Sequence, residues 1–167
     1  MKRIVKIAIL TIVGAFISAN LHSQDLFMAD FWTGNIFQFS PNGDQFTLAP
    51  AVGAYYNYQI AFDKYGNLFV SDWTGIIYKY RINGQQSTFA TGGYNPQGLA
   101  FDKYGNLFEV DILGNINKLT PNGVESIFSS GLPLSGGLAF DEDGNLFADD
   151  FYGNIYKFTT IENRIIE

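Results

Sequence analysis

No cysteine occurs anywhere in these 167 residues, and histidine occurs once, as His22. The first absence removes disulfide frameworks, thiol chemistry and attachment of a lipid through cysteine. With His22 expected to leave with an N-terminal leader, the mature chain holds neither residue, which excludes Ser-His-Asp and Cys-His catalytic sets and zinc sites built on His or Cys. A metal here would have to sit on oxygen ligands, which suits calcium or magnesium. Basic residues are scarce too, ten against sixteen acidic ones. That balance argues against nucleic acid and against anionic membranes as partners. Helical periodicity is missing from the whole chain beyond Ser23.

The stretch up to Ser23 reads as a leader. Lys2, Arg3 and Lys6 give a positive start, Ile7 to Ile17 an apolar core, and Ser18, Ala19 and Ser23 small residues near a cleavage point. The core is shorter than the roughly 20 residues that a membrane span needs. Cleavage after Ser23 or Ala19 is expected, by a bacterial Sec-type route, to a secreted, periplasmic or cell-surface location. No other hydrophobic segment is long enough to span a membrane. Removing the segment 1–23 leaves seven basic and sixteen acidic residues, a net charge of −9.

What the remainder has is repetition. Ala61-Phe62-Asp63-Lys64-Tyr65-Gly66-Asn67-Leu68-Phe69 recurs letter for letter at Ala100 to Phe108, and with two changes at Ala139 to Phe147. A fixed spacing of this size means one supersecondary unit stacked several times. Asp30, Asp72, Asp111 and Asp150 share one repeat position, and Gly34, Gly75, Gly114 and Gly153 another. Short apolar runs bounded by Asp-x-x-Gly-Asn and Pro-Asn-Gly turns predict strands joined by tight hairpins. In the third copy the strands are Gly98–Asp102, Asn106–Asp111, Asn115–Leu119 and Glu125–Ser129. Four strands per repeat predict an all-β chain of β-propeller blades, at about 24–56, 57–95, 96–134 and 135–167. The 16 Phe and 10 Tyr are then expected to pack between blades. The recurrent Asp residues are expected to cap turns.

Gly98-Leu99-Ala100-Phe101-Asp102-Lys103-Tyr104-Gly105-Asn106-Leu107-Phe108, with the following Gly-Asn-Ile-x-Lys and Pro-Asn-Gly, resembles NHL-type repeats. It is equally similar to the senescence-marker-protein/gluconolactonase propellers, over essentially all of the chain after Ser23. The second resemblance implies lactone hydrolysis by one divalent cation at the ring centre, held by Glu, Asn and Asp. The matching positions are taken as Gln59, Gln97 and Gly136, and none carries a carboxylate. The Glu expected near the start of the fold is missing as well.

The first copy is read as starting at its second strand, Asp25–Ala29, and the last as ending in Arg164-Ile165-Ile166-Glu167, giving an incomplete or open ring of about four blades. An open stack leaves two outer faces bare. At roughly 400 Å² of apolar surface each, that forfeits about 10 kcal/mol per face, against a typical domain stability of about 5–15 kcal/mol. The expected resolutions are that the chain is a fragment of a longer propeller, which is preferred, or that copies associate to complete the ring.

Residues that break the repeat are the candidates for function. Glu109 stands where other copies have Met28, Val70 and Ala148; Asp149 where they have Ala29, Ser71 and Val110; Asn117 where they have Phe or Tyr. A central mouth near Asn57, Gln59, Asn95 and Gln97 is expected to take a small molecule, carbohydrate or protein. Asp141, Asp143 and Asn145 resemble part of a calcium loop. The reading is an exported propeller serving as a binding or scaffold module, with a divalent-metal-dependent lactonase-like hydrolase as the alternative.

Overall fold

The computed structural model describes residues 15–19, 25–50, 57–81, 83–159 and 165–166. Most of the expected leader, with His22 and Ser23, lies outside the described residues. For residues 15–19, 57–58, 134–135 and 165–166 the backbone alone is described. Among the described residues there are sixteen strands and no helix. They form four antiparallel sheets, each a simple meander. The first holds β1 (Ala15–Ala19), β2 (Leu26–Asp30), β3 (Ile36–Phe39) and β4 (Gln45–Ala49). The second holds β5 (Asn57–Phe62), β6 (Leu68–Asp72), β7 (Ile77–Tyr80) and β8 (Gln86–Ala90). The third holds β9 (Gly98–Phe101), β10 (Leu107–Val110), β11 (Ile116–Leu119) and β12 (Glu125–Ser129). The fourth holds β13 (Leu134–Phe140), β14 (Leu146–Asp150), β15 (Ile155–Phe158) and β16 (Ile165–Ile166). First strands neighbour one another in chain order, β1 with β5, β5 with β9, β9 with β13. That is the inner wall of a propeller, here an arc rather than a closed ring.

One sequence expectation changes, and one about the chain's last strand holds. The first sheet does not begin at its second strand, because Ala15–Ala19 pairs antiparallel with β2, Ala15 opposite Asp30 and Ala19 opposite Leu26. The apolar and small residues of this run satisfy the inner edge of β2, which would otherwise present unpaired backbone groups. The last sheet does gain its fourth strand from the C-terminal segment, Lys157 opposite Ile165.

Alternation along each strand sends residues to opposite sheet faces, and each seam is filled from both sides. Phe27, Ala29 and Ile36 of the first blade meet Ile60, Leu68, Val70 and Tyr80 of the second. Ala61, Phe69 and Ile77 then meet Leu99, Leu107 and Leu119. Ala100, Phe108, Val110 and Ile116 meet Leu138, Leu146, Ala148, Tyr156 and Phe158. Edge-on aromatic pairs recur in the seams, Phe69 with Phe101 at 4.8 Å and Phe108 with Phe140 at 5.0 Å. A bulge recurs at Ile36/Phe37, Ile77/Tyr78 and Ile116/Asn117, where the third strand bends against the fourth.

The hairpin carboxylates cap as expected. Asp102 Oδ1 accepts from the amides of Tyr104 and Asn106, and Oδ2 accepts from Asn106 Nδ2 at 2.7 Å. Turn glycines carry a second constraint besides their positive φ. A Cβ on Gly75 (φ 89°) would overlap the Gly93 carbonyl, and one on Gly114 (φ 79°) the Leu132 carbonyl. Those carbonyls belong to the connections between blades, so glycine here lets one blade's turn slide under the next blade's entry segment.

Candidate functional site on the loop face

Every blade carries its second-to-third strand turn at the same end of the arc as the connections between blades. The contacts just described fix this, as do the bonds from Ile112 N to Tyr94 O at 3.0 Å and from Phe151 N to Pro133 O at 3.3 Å. Each of these turns opens on the recurrent Asp. Asp72 Oδ1 accepts from Thr74 N, Thr74 Oγ1 and Ile76 N, and its Oδ2 accepts from Tyr78 Oη. Asp150 is capped by Tyr152 N, Asn154 N, Asn154 Nδ2 and Tyr156 Oη. Desolvation pushes the Asp150 pKa up, but these hydrogen bonds, Asn154 first, outweigh it and hold the carboxyl down at about 2.

With the backbone so clamped, the residues after each Asp project outward, and they are large and apolar. Trp32 is 66% exposed and Trp73 51%. Ile112, Leu113, Phe151 and Tyr152 are exposed on the next two turns, and Tyr94 on the connection between them. Burying one such side chain is worth about 2 kcal/mol, so a rim of them left in water on one face is informative. The expectation that the aromatics pack between blades therefore fails for this rim. A signal for it stands in the sequence: the turn position after each repeating Asp, where polar residues are usual, holds Phe31-Trp32, Trp73, Ile112-Leu113 and Phe151-Tyr152.

Inside the rim, between blades two and three, lies the amide-lined part. Asn95 has φ 54°, the single positive value among described non-glycine residues. Its Oδ1 accepts from Gln97 Nε2 at 2.9 Å, which ties the connection into a compact turn. Beneath it Glu109 and Asn117 face each other across the β10–β11 ladder. Glu109 Oε1 accepts from Asn117 Nδ2 at 2.7 Å. Glu109 is 1% exposed, and its Oε2 has no hydrogen-bond partner. A Cβ placed on Gly93 would lie 3.5 Å and 3.6 Å from the two carboxyl oxygens, so the connection covers the pair directly. Desolvation pushes the Glu109 carboxyl up to about 7; the Asn117 bond opposes this, and Glu125 and Asp111 add to it. Lys118 does not pair with Glu109; its ammonium lies over the Phe108 ring at 5.7 Å.

The remaining sequence candidates separate. Gln59 is half-buried on β5, and its backbone N–H donates to Ser71 Oγ at 3.2 Å. Gln59 stands opposite Ser71 as Gly98 stands opposite Val110. Gln59 therefore matches Gly98, and Tyr58 rather than Gln59 matches Gln97. The spacing of the identical stretches, Ala61 to Ala100, also carries Gln59 onto Gly98, so the match of Gln59 with Gln97 is off by one in the sequence itself. Asn57 begins β5 opposite Asp72. Asp149 is exposed on the outer side of blade four and accepts from Gly137 N at 2.8 Å, away from the other candidates. Asp141 Oδ1 accepts from Asn145 N and its Oδ2 from Asn145 Nδ2, both at 2.7 Å, in the same turn as at Asp63 and Asp102. The Asn145 side chain holds Asp141 below the usual carboxylate range. Asp143 is exposed at that turn.

Among the described residues no three His, Cys, Asp or Glu side chains converge. Glu109 faces a seam and already shares one oxygen with an amide, and the buried Asp72, Asp111 and Asp150 are taken up by their own turns. This donor set does not fit the divalent-cation centre that the gluconolactonase resemblance implies. A shallow cleft lies at the opposite end, between Tyr65, Tyr104, Phe101 and Lys79, where Lys79 Nζ sits 3.8 Å from Asp63.

No family profile and no curated protein matches this sequence. Solved structures do match. A streptogramin B lyase superposes with a TM-score of 0.77 at 14% identity, over 97% of this chain and 57% of that one. A catalytically inactive histidine-to-alanine form of virginiamycin B lyase from Staphylococcus aureus, with quinupristin, gives 0.74 at 18% identity, over 90% and 53%. A putative gluconolactonase gives 0.74 at 18%, over 90% and 61%. The chain thus spans between about half and three fifths of the length of these structures. At such identities the likeness establishes the fold, and the β-propeller expectation is borne out.

Proposed function

We propose that the chain is an exported β-propeller binding module that takes a neutral carbohydrate chain on its loop face. The observation that carries this reading is the row of exposed aromatic and aliphatic tips on four successive turns, beside the amides of Asn95 and Gln97. Flat aromatic faces stack on sugar rings, and amides donate to and accept from hydroxyls. A row spread over four blades suits a polymer better than one small molecule. The clamped Asp turns hold the tips in place before a ligand arrives, which lowers the ordering cost of binding. Asn95 and Gln97 already bond to each other and keep further donor and acceptor capacity for a ligand. The Glu109–Asn117 pair beneath them is a positioning element for the Gly93–Gln97 connection.

Lyase chemistry is not carried over. The virginiamycin B lyase is described as inactive with one histidine replaced, and the single histidine here, His22, lies outside the described residues. Metal-dependent lactone hydrolysis, the other reading, rests on the shared fold alone. One experiment separates the readings: calorimetric titration with cello-, malto- and chito-oligosaccharides, with calcium and magnesium, and a hydrolysis assay on glucono-δ-lactone. Saccharide binding that Trp73→Ala weakens at least about tenfold supports the module. Metal-dependent turnover of the lactone would replace it.

A further inference from the structure

The arc has two ends, and the repeat fixes what each end is shaped to meet. In every blade one face looks forward along the chain and one looks back. The forward-facing isoleucine of the third strand is 0% exposed at Ile36, 3% at Ile77 and 0% at Ile116, because the next blade covers it. At Ile155, on blade four, it is 54% exposed. Ala61 and Ala100 are buried, whereas Ala139 at the same position is exposed. The turn above tells the same story. Gly75 and Gly114 are overhung by carbonyls of the next connection, whereas a methyl group placed on Gly153 would meet nothing within 4 Å.

The backward-facing leucine of the second strand is 2% exposed at Leu68, 0% at Leu107 and 1% at Leu146. At Leu26, on blade one, it is 38% exposed. Around Leu26 stand Met28, Phe37 and Phe39, only partly buried, at the positions of Val70, Tyr78 and Tyr80. One chain thus carries both halves of a blade-to-blade seam, forward at one end and backward at the other, and neither half is covered among the described residues.

We infer that the occupant of each end is a second copy of this chain, joined head to tail at two identical seams so that eight blades close one ring. Two observations favour a second copy. The two bare faces are complementary to each other by the same repeat that fills the three internal seams. Eight blades lie within the usual range of four to eight. Asp149, on the forward face where Ala29, Ser71 and Val110 are buried, has one oxygen held by the amide of Gly137 and would be desolvated on closure, a cost the seam must offset. A heterologous contact of this kind closes when the rotation per copy is a half turn, and otherwise grows into filaments. The second copy does not depend on the carbohydrate reading.

The test is sedimentation equilibrium of the purified chain between micromolar and 100 micromolar concentration. The expected result is a limiting mass of twice the monomer. Ile155→Lys and Leu26→Lys each place a charge in one half-seam, at positions already exposed in the single chain, and each is expected to raise the dissociation constant at least about tenfold. Mixing these two variants restores one intact seam and is expected to recover dimers that neither forms alone. Ile127→Lys, on the exposed outer strand of blade three, leaves association unchanged. A wild-type chain that stays monomeric, a mass that keeps growing with concentration, or dimers indifferent to both end substitutions would overturn the inference.

Discussion

Glu109 Oε1 accepts a 2.7 Å hydrogen bond from Asn117 Nδ2, directly across the ladder from it. In the other blades the same cross-strand pair is Met28 with Phe37, Val70 with Tyr78, and Ala148 with Tyr156. Blade three has exchanged both members. The shorter Asn leaves the space that an aromatic ring fills elsewhere, and Glu occupies it. Tyr78 and Tyr156 each donate to the carboxylate that ends the strand before their turn, Asp72 or Asp150. Asn117 donates instead to Glu109, and Asp111 relies on its Asn115 cap.

This pair sets a pH dependence. The Glu109 carboxyl titrates near 7 in the folded chain, above its ordinary value of about 4.5. The folded state therefore binds the proton more tightly than the unfolded chain. The stabilisation is full below about pH 4.5 and is lost as pH rises through 7. Glu109→Gln keeps an acceptor for Asn117 and removes the charge. It is expected to raise stability at pH 8.5 by about 2–3 kcal/mol and to change little at pH 4.5. Urea denaturation of both proteins at the two pH values checks this. Equal stability at pH 8.5 would mean that water or a cation reaches Oε2.

The exchange is also expected to be coupled. Asn117→Leu leaves a buried carboxyl without its donor and is predicted to cost about 2–4 kcal/mol at neutral pH. Glu109→Val with Asn117→Tyr rebuilds the pair of blade two and is predicted to match or exceed the wild type. A double-mutant cycle should then show a coupling of at least about 1 kcal/mol.

The turn glycines predict a contrast within one sequence position. Gly114→Ala meets both a positive φ and the Leu132 carbonyl, and Gly153→Ala meets the positive φ alone. The first is expected to destabilise by about 3 kcal/mol or more and the second by about 1 kcal/mol in the isolated chain. Thermal unfolding of the two variants measures the difference. In a closed two-copy ring Gly153 is overhung as well, so its cost should rise toward that of Gly114 at concentrations where dimers form.

Much of the fold is legible in the sequence because the repeat carries it. The strands of the third copy fall within a residue of β9 to β12, and the Asp-x-x-Gly-Asn turns form as capped hairpins. Position along the chain is harder to read. The first strand of blade one is not visible, because Ala15-Phe16-Ile17-Ser18-Ala19 has a leader's composition and none of the repeat's motif residues. The match of Gln59 with Gly98 is legible, since the spacing from Ala61 to Ala100 gives it and the strand register agrees. At the site, Glu109 and Asn117 stand out by breaking the pattern, yet their pairing needs the register. The exposed rim escapes a reading by composition, because Trp73 or Phe151 looks like core until the turn that carries it is seen to point outward.

The place of Ala15–Ala19 makes the export proposal sharply testable. Removal of the segment 1–23 would take β1 from the inner edge of blade one. Intact-mass analysis of the protein recovered outside the cytoplasm is expected to start at Gln24 or Asn20. A chain that retains its N-terminus would instead keep β1 as a permanent strand and end the leader reading.

Ligand binding at the rim of the loop face is reported directly by the chain's two tryptophans. Trp32 and Trp73 are the only two in the sequence, and both stand on that face. The decisive measurement is tryptophan emission during titration with the cello-, malto- and chito-oligosaccharides. A saturable blue shift and protection from acrylamide quenching are expected with at least one of them, both lost in Trp73→Phe, with Trp32→Phe retaining part. Emission unmoved by every saccharide, while calorimetry detects binding, would place the ligand elsewhere and contradict a carbohydrate-binding rim.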